Sequence, residues 1–182
     1  MQKLLFLILL LSTACIDTTP PEDPGNPEPF FDLSDYMDEQ IEQWQTLPRV
    51  TKSAYINGEE STRVLSNLDF KEELAVFGRA DINRPAWIDR YAVDSTRRAD
   101  GSIVWSHRAL DEDLKTRRLD IYKKNGTVTR IEIENQTDGP VAATYQFLTY
   151  EPLQRYEIRS TQEVVLMDST VLRVVVTAGP GI

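Results

Sequence analysis

The sequence predicts an α+β domain that is mainly β, built on one strongly curved antiparallel sheet of about nine strands. Two early segments repeat their apolar residues every three or four positions, which is the helical period. From residue 85 onward the period is two, and Asn-Gly and Asp-Gly pairs separate the segments. Short strands joined by tight turns pair antiparallel, so we expect a sheet shaped like a half-barrel with two helices near its N-terminal part. A two-sheet β-sandwich is the alternative.

The two predicted helices cover residues 33–47 and about 68–80. Pro48 ends the first helix, and Ser66 with Asp69 forms a weak capping box before the second. The apolar positions that define the two helical faces are Leu33, Met37, Ile41, Trp44 and Leu47, then Phe70, Leu74 and Phe77.

The strands begin with a hairpin in which Asn57-Gly58 supplies the turn, because Asn-Gly favours the positive φ angles of tight hairpins. A second Asn-Gly turn is expected at Asn125-Gly126. The predicted strand segments read, in order, VTKSAYI, STRVL, WIDRYAV, IVWSHRAL, LDIYKK, TVTRIEI, AATYQFLTY, LQRYEIRSTQEVVL and TVLRVVVT.

The first 14 residues have the layout of an export signal. Lys3 supplies a positive charge, Leu4 to Leu11 form an unbroken apolar run, and Ser12, Thr13 and Ala14 are small. A membrane-spanning helix needs about 20 apolar residues, so this run is too short to span a bilayer. Two interpretations of its end remain: ordinary cleavage after Ala14, or processing that involves Cys15, the only cysteine of the chain.

Small residues followed by this cysteine resemble the lipobox of bacterial lipoproteins. The resemblance implies that Cys15 receives a diacylglyceryl group, that residues 1–14 are removed, and that the new N-terminus is acylated. The overall layout is similar to the short uncharacterised lipoproteins of Bacteroidota-type bacteria, which implies the outer membrane as the location. Two or three acyl chains hold a protein stably on a bilayer, whereas one does so only reversibly.

The segment 15–30 is predicted to be a disordered tether. Residues 16–30 carry five prolines and four carboxylates and almost no apolar side chains, so they cannot bury enough surface to fold. At about 3.1 Å per residue, a segment this rich in proline reaches roughly 45 Å. The remaining residues, 31–182, form one predicted globular domain, which lies within the size range of a single core.

Composition and motifs argue against most kinds of chemistry. The chain has 20 basic and 29 acidic residues, a net charge of -9, which together with export gives no reason to expect nucleic acid as a partner. His107 is the only histidine, so no zinc cluster and no cofactor are expected, and we interpret it as a satisfied or a surface histidine rather than a catalytic one. Asp81-Ile82-Asn83 and Asp111-Glu112-Asp113 lack the remaining ligands of a calcium loop and are interpreted as solvated turns. An enzyme is not expected, although a hydrolase built on carboxylates alone stays open.

Aromatic residues on the predicted strands are the candidates for a ligand surface. Most of them are expected in the core, but some could line an open concave face and hold a lipid-like molecule or a glycan. The candidate ligand-lining residues are Trp87, Tyr91, Trp105, Tyr145 and Phe147.

The sequence therefore predicts a membrane-anchored lipoprotein of the cell envelope with a non-catalytic structural or partner-binding domain. Its partners would be the membrane, through the lipid on Cys15, and an envelope protein. A carrier or sensor of a lipid-like or glycan ligand is the alternative function.

Overall fold

The structure, a computed structural model, describes residues 30–179, which form one curved, unclosed antiparallel sheet with the helices packed on one of its faces. The predicted signal and tether, including Cys15, lie outside the described residues except for Phe30. The elements are α1 (Leu33–Gln45), β1 (Val50–Ile56), β2 (Glu59–Leu65), α2 (Phe70–Gly78), a 3₁₀ helix (Pro85–Arg90), β3 (Tyr91–Arg97), β4 (Ile103–Ala109), β5 (Thr116–Lys124), β6 (Thr127–Asp138), β7 (Ala142–Glu151), β8 (Arg155–Val164) and β9 (Thr170–Ala178).

The strand order is β2-β1-β9-β8-β7-β6-β5-β4-β3. Strands β3 to β9 form a continuous meander, and β9 then pairs with β1, so the first and last regions of the domain are neighbours in the sheet. All nine described strands belong to this one sheet, and every pairing is antiparallel. The predicted fold class is confirmed, and the alternative of a two-sheet sandwich is wrong.

Helix α1 begins where two carboxylates accept its first backbone N–H groups. Asp32 accepts from the Asp35 amide at 2.9 Å, and Asp81 Oδ2 accepts from the Leu33 amide at 2.8 Å and the Ser34 amide at 3.2 Å. These groups have no partner inside the helix, and carboxylates also interact favourably with its N-terminal dipole. Asp81 is therefore a long-range cap rather than part of the solvated turn that its sequence context indicated.

Helix α2 is capped by Asp69, whose Oδ1 accepts from the amides of Lys71 and Glu72 at 3.0 and 3.2 Å. The predicted capping box, in which Ser66 would be the cap, is thus wrong by one turn, because Asp69 takes the capping role itself. Within residues 30–179, neither helix is long and apolar enough to cross a bilayer.

The segment that begins at Pro85 corrects another prediction. The pattern of WIDRYAV predicts a strand from Trp87 onward, but Pro85–Arg90 is a 3₁₀ helix and β3 begins at Tyr91. Proline at the first position fixes a φ angle that suits a helical turn, and the Arg84 guanidinium lies 4.3 Å from the Trp87 ring centroid. Local turn formation therefore outweighs the period-two pattern here.

Both Asn-Gly turns form as predicted. Asn57 and Gly58 have φ angles of 49° and 94°, and Asn125 and Gly126 have φ angles of 52° and 81°. Two successive positive φ angles match the right-handed twist of the flanking strands, and asparagine and glycine tolerate them best. These turns fix the registers of β1 with β2 and of β5 with β6.

The core lies between the helices and the sheet face that carries Tyr150 and Tyr156, which we name the helix-bearing face. The fully buried Trp44 of α1 contacts the Tyr156 ring at 5.4 Å between centroids and donates from Nε1 to Tyr150 Oη at 2.9 Å. Tyr150 in turn donates to Gln40 Oε1 at 2.9 Å, so Trp44, Tyr150 and Gln40 form a connected hydrogen-bonded chain in the core.

A Tyr150→Phe substitution tests this buried chain. It leaves Trp44 Nε1 without an acceptor and Gln40 Oε1 without a donor, and each unsatisfied buried group costs about 1–3 kcal/mol. We expect the free energy of unfolding, measured by urea denaturation, to fall by about 2–4 kcal/mol. The matched control is Tyr145→Phe, whose side chain is 41% exposed and should change stability by less than about 0.5 kcal/mol. Equal effects of the two substitutions would contradict the role of the Tyr150 hydroxyl.

Candidate functional site

The sheet face opposite the helices, which we name the open face, carries an arginine cluster centred on Glu157. Alternate residues of a strand point to opposite faces, so Glu157 lies opposite the core side of its neighbours Tyr156 and Ile158. Glu157 is only 4% exposed, because arginine side chains cover it on the surface of the sheet. A carboxylate that is buried to this extent needs ion-pair partners, and Glu157 has three among the described residues.

The three partners of Glu157 come from two strands. Glu157 Oε1 accepts from Arg159 Nε at 2.6 Å and from Arg173 Nε at 2.7 Å, while Oε2 accepts from Arg155 Nη2. Arg155 and Arg159 flank Glu157 on β8, whereas Arg173 is the register partner of Arg159 on β9. One carboxylate thus organises three guanidinium groups, and the cluster retains an excess of positive charge.

Opposing influences act on the pKa of Glu157. Burial raises it, but the hydrogen bonds from Arg173 and Arg159 and the charges of these two arginines lower it by more. The pKa of the carboxyl therefore lies below its ordinary value, and Glu157 is ionised at neutral pH. The ionised carboxylate keeps the guanidinium groups in position.

Two open depressions adjoin this cluster and share Arg159 and Thr161. One has a volume of about 410 Å³ and the other about 510 Å³. The first lies over β6 to β8 and is lined by Arg117, Glu134, Gln136, Tyr145, Phe147 and Arg159; the second is lined by Arg159, Thr161, Val171 and Arg173. The two together form a shallow, continuous surface of aromatic, polar and cationic groups.

Arg117 lies at the edge of the first depression because the pairing of β5 with β6 is irregular there. The register shifts between Thr116 and Arg118, which leaves Arg117 as an extra residue of a β-bulge. Its Nη1 donates to the Asp111 carbonyl at 3.0 Å and its Nη2 lies 3.9 Å from an Asp138 carboxylate oxygen. Arg117 Nε is buried without a hydrogen-bond partner among the described residues.

The structure brings together two of the five aromatic residues predicted to line a ligand surface. Tyr145 and Phe147 lie side by side on the open face, on either side of Gln146, and both line the first depression. Their register partners on β8 are Thr161 and Arg159. These two rings contribute the apolar part of the candidate site.

The other three aromatic candidates lie elsewhere. Tyr91 is buried in the core, where burial raises its pKa to about 12 and its hydroxyl donates to the Thr116 carbonyl at 2.8 Å. Trp105 packs against the core on the helix-bearing face, opposite Ile121. Trp87 is half-buried in the 3₁₀ helix beneath Arg84. None of the three lines either depression.

His107 is a buried structural residue of β4. Its Nδ1 donates to the Leu119 carbonyl at 3.0 Å, and its ring meets Phe30 edge to face at 5.6 Å between centroids. Burial lowers its pKa, an effect that the hydrogen bond to Leu119 and the charge of Asp120 oppose. The neutral imidazole thus helps to hold the start of the described chain on the sheet.

The two segments weighed as calcium loops have other roles. Asn83 accepts from the Phe30 amide at 3.1 Å and donates to the Phe31 carbonyl at 3.0 Å, so with Asp81 it fastens residues 30–34. Asp111 and Asp113 both bind Arg90. Among residues 30–179, no group of three or more metal-binding side chains is close enough to hold an ion.

The arginine cluster was not predicted from the sequence, although one signal for it was present. Arg155, Glu157 and Arg159 alternate along β8, and a strand places such residues on the same face. Arg173 could not be assigned to the cluster, because its place next to Arg159 depends on the pairing of β8 with β9.

Chemically, the open face can hold an anionic group on guanidinium forks beside aromatic rings. The chain matches no protein-family model, and no curated protein matches it significantly. The function of the folded domain is therefore inferred from the geometry of its own residues.

A Glu157→Gln substitution tests the central carboxylate. Hydrogen bonds to charged groups contribute about 1.5–3 kcal/mol each, but the arginines are partly solvated, so we expect a total loss of about 1–2 kcal/mol in the free energy of unfolding at pH 7. The contribution of a carboxyl whose folded-state pKa is lowered is present above its unfolded pKa, near 4.5, and declines as the pH falls through the folded value. The difference between wild type and variant should therefore narrow below pH 4.5.

Urea denaturation between pH 7 and pH 3 measures this difference. The matched control is Glu163→Gln, which removes the same charge from an exposed position of β8 that forms no ion pair among the described residues. A difference between wild type and the Glu157 variant that is absent at pH 7, or that widens in acid, would contradict the role of Glu157.

Proposed function

We propose that this chain is a membrane-anchored lipoprotein of the cell envelope whose folded domain is non-catalytic and binds a partner on the open face of its sheet. The anchor is a lipid on Cys15, and the location is the outer membrane. Support for the anchor comes from the sequence: a charged and apolar leader, three small residues, and the only cysteine of the chain at the predicted cut.

Phe30, the last residue of the predicted tether, packs on the folded domain. Phe30 is buried, its ring packs edge to face on Tyr91 at 6.0 Å and on His107, and its amide is held by Asn83. Residues before Phe30 have a composition that favours an extended chain. A tether of this kind presents a domain at a distance from a membrane without fixing its orientation.

The observation that carries the binding role is the distribution of side chains between the two sheet faces. The helices cover the helix-bearing face, where Leu148, Tyr150 and Tyr156 are fully buried. The open face instead offers Tyr145, Phe147 and the arginine cluster at its depressions. Aromatic and arginine side chains are enriched at the centres of binding surfaces.

The alternative role, a carrier or sensor of a small ligand, uses the same surface. Tyr145 and Phe147 in a depression of about 410 Å³ favour a ligand with a flat apolar side. The depression is open and its rim is polar and charged, which favours a glycan over a lipid tail, since an acyl chain needs an enclosed apolar cavity.

The anchor is tested by the state of Cys15 in protein purified from its own membranes. We expect mass spectrometry to find an N-terminal peptide that starts at Cys15 and carries diacylglyceryl and acyl groups. Cys15→Ser should abolish the modification and move the chain out of the detergent phase in a phase-partition assay, because the lipid supplies the membrane affinity.

The matched control is Ser12→Leu, which introduces the residue that the lipoprotein family prefers at this position and should be processed at least as completely as wild type. An unmodified Cys15 thiol on protein that stays in the aqueous phase would overturn the anchored function.

A further inference from the structure

The open face carries a row of residues that crosses the sheet from β7 to β1. In the strand registers, Phe147 is opposite Arg159, Arg159 is opposite Arg173, and Arg173 is opposite Tyr55. Neighbouring strands are about 4.8 Å apart, so this row of four side chains spans about 14 Å. We name it the aromatic-arginine row; it has an aromatic ring at each end and two guanidinium groups between them.

Glu157 orients the two arginines of the row in the same way. Each donates its Nε–H to Glu157 Oε1, at 2.6 Å from Arg159 and 2.7 Å from Arg173. Among the described residues the Nη groups of both arginines make no hydrogen bond or ion pair, and the Arg159 side chain is 57% exposed. The paired Nη–H donors of a fixed guanidinium are the geometry that holds a planar oxyanion.

The acidic residues near the row leave its positive charge in excess. Glu134, beyond Phe147, already binds Arg118 at 2.8 Å, whereas Glu60, beyond Tyr55, keeps its negative charge and acts electrostatically on Arg173. Beside the row, Glu157 binds Arg155 as well as Arg159 and Arg173, so three guanidinium groups stand against the two carboxylates of Glu157 and Glu60. The row is thus cationic on a chain whose net charge is -9.

The aromatic ends of the row are held in place. The Arg173 guanidinium lies 5.1 Å from the Tyr55 ring centroid, and Phe147 is half-buried beside Tyr145 in the first depression. Both aromatic side chains are partly exposed, and partly exposed aromatic side chains pack against the apolar faces of sugar rings and other flat groups. Gln136 and Thr161, which also line the depressions, can exchange hydrogen bonds with hydroxyl groups.

We propose that the aromatic-arginine row binds an acidic glycan, with a uronate carboxylate on the Arg159 and Arg173 forks and sugar rings against Phe147 and Tyr55. This assigns a ligand class to the open face and rests on the alternative role given above, a carrier or sensor of a glycan. A chain of net charge -9 opposes a densely charged polymer, which favours carboxylates spaced by neutral sugars over nucleic acid or a heavily sulfated chain.

Binding is tested with the full-length lipidated chain in a polyoxyethylene detergent, by calorimetry at low salt. The probes are oligosaccharides of gellan, xanthan, alginate and polygalacturonate, each paired with its carboxyl-reduced neutral form. We expect at least one acidic oligosaccharide to bind and its reduced form to bind at least tenfold more weakly, because the guanidinium forks lose their oxyanion. Raising the salt concentration should weaken the binding.

Variants then locate the site. Arg159→Gln and Arg173→Gln should each weaken binding at least fivefold, and Arg159→Lys should restore part of the loss, since lysine keeps the charge but not the fork. The matched control is Arg108→Gln on β4, an exposed position of the open face whose side chain forms no ion pair among the described residues; its affinity should equal that of wild type. Circular dichroism and urea denaturation of each variant separate a lost site from a lost fold.

Three outcomes would overturn the proposal: no binding to any of the four acidic oligosaccharides, equal binding to acidic and carboxyl-reduced forms, or tighter binding to single-stranded oligothymidylate than to any glycan. Mass spectrometry of the N-terminal peptide from the same preparation tests the lipid anchor independently of glycan binding. A lipidated chain that binds no glycan contradicts the ligand class alone, whereas a chain that binds uronates but carries an unmodified Cys15 contradicts the anchor alone.

Discussion

An apolar core holds the helical layer on one face of the sheet, two tyrosine hydroxyls on adjacent strands fix its position there, and the rest of the structure depends on this attachment. Tyr150 bridges Trp44 and Gln40 of α1, while Tyr156 donates to Glu73 of α2 at 3.1 Å, and Glu73 in turn binds Lys52 of β1 at 2.5 Å. Burial raises the pKa of both hydroxyls, so they remain protonated donors. Because the helices are fixed on this face, the opposite face is left to solvent and to partners.

An exposed sheet face needs side chains that keep it soluble, and this one uses paired charges. Arg118 binds Glu134 at 2.8 Å across β5 and β6, and Arg130 lies 3.1 Å from Glu132 on the same strand. Opposite charges on neighbouring positions stabilise a sheet and keep its exposed face polar. The Glu157 cluster has unequal charges, since three guanidinium groups share one carboxylate. This excess of positive charge identifies the cluster as a candidate site.

The fold was predictable from the sequence because its signals are local. Helical spacing, period-two alternation and the Asn57-Gly58 and Asn125-Gly126 turns each depend on a few neighbouring residues. The 3₁₀ helix at Pro85–Arg90 was missed because a short turn that begins with proline can carry the same apolar pattern as a strand. The role of Asp81 was missed because its partner amides, on Leu33 and Ser34, are nearly fifty positions away in sequence.

The candidate site was less predictable because it is a property of register. Tyr145 and Phe147 are two positions apart on one strand, so the sequence predicts that they share a face of the sheet. The sequence alone does not say which face the helices cover. Arg173 joins Arg159 only through the pairing of β8 with β9, and Tyr55 joins the row only through the pairing of β1 with β9. Pairings between residues of separate strands leave no local pattern in the sequence.

The pairing of β1 with β9 affects the order in which the sheet of this domain can form. The N-terminal hairpin has no strand to pair with until the last segment, Thr170–Ala178, has been synthesised, so the sheet is completed only by its most distant residues. Contacts of such long sequence separation slow folding. A product that stops before β9 would leave β1 and β8 with unpaired backbone groups on both sides of the gap, and unprotected edges of this kind are where strands from different molecules associate.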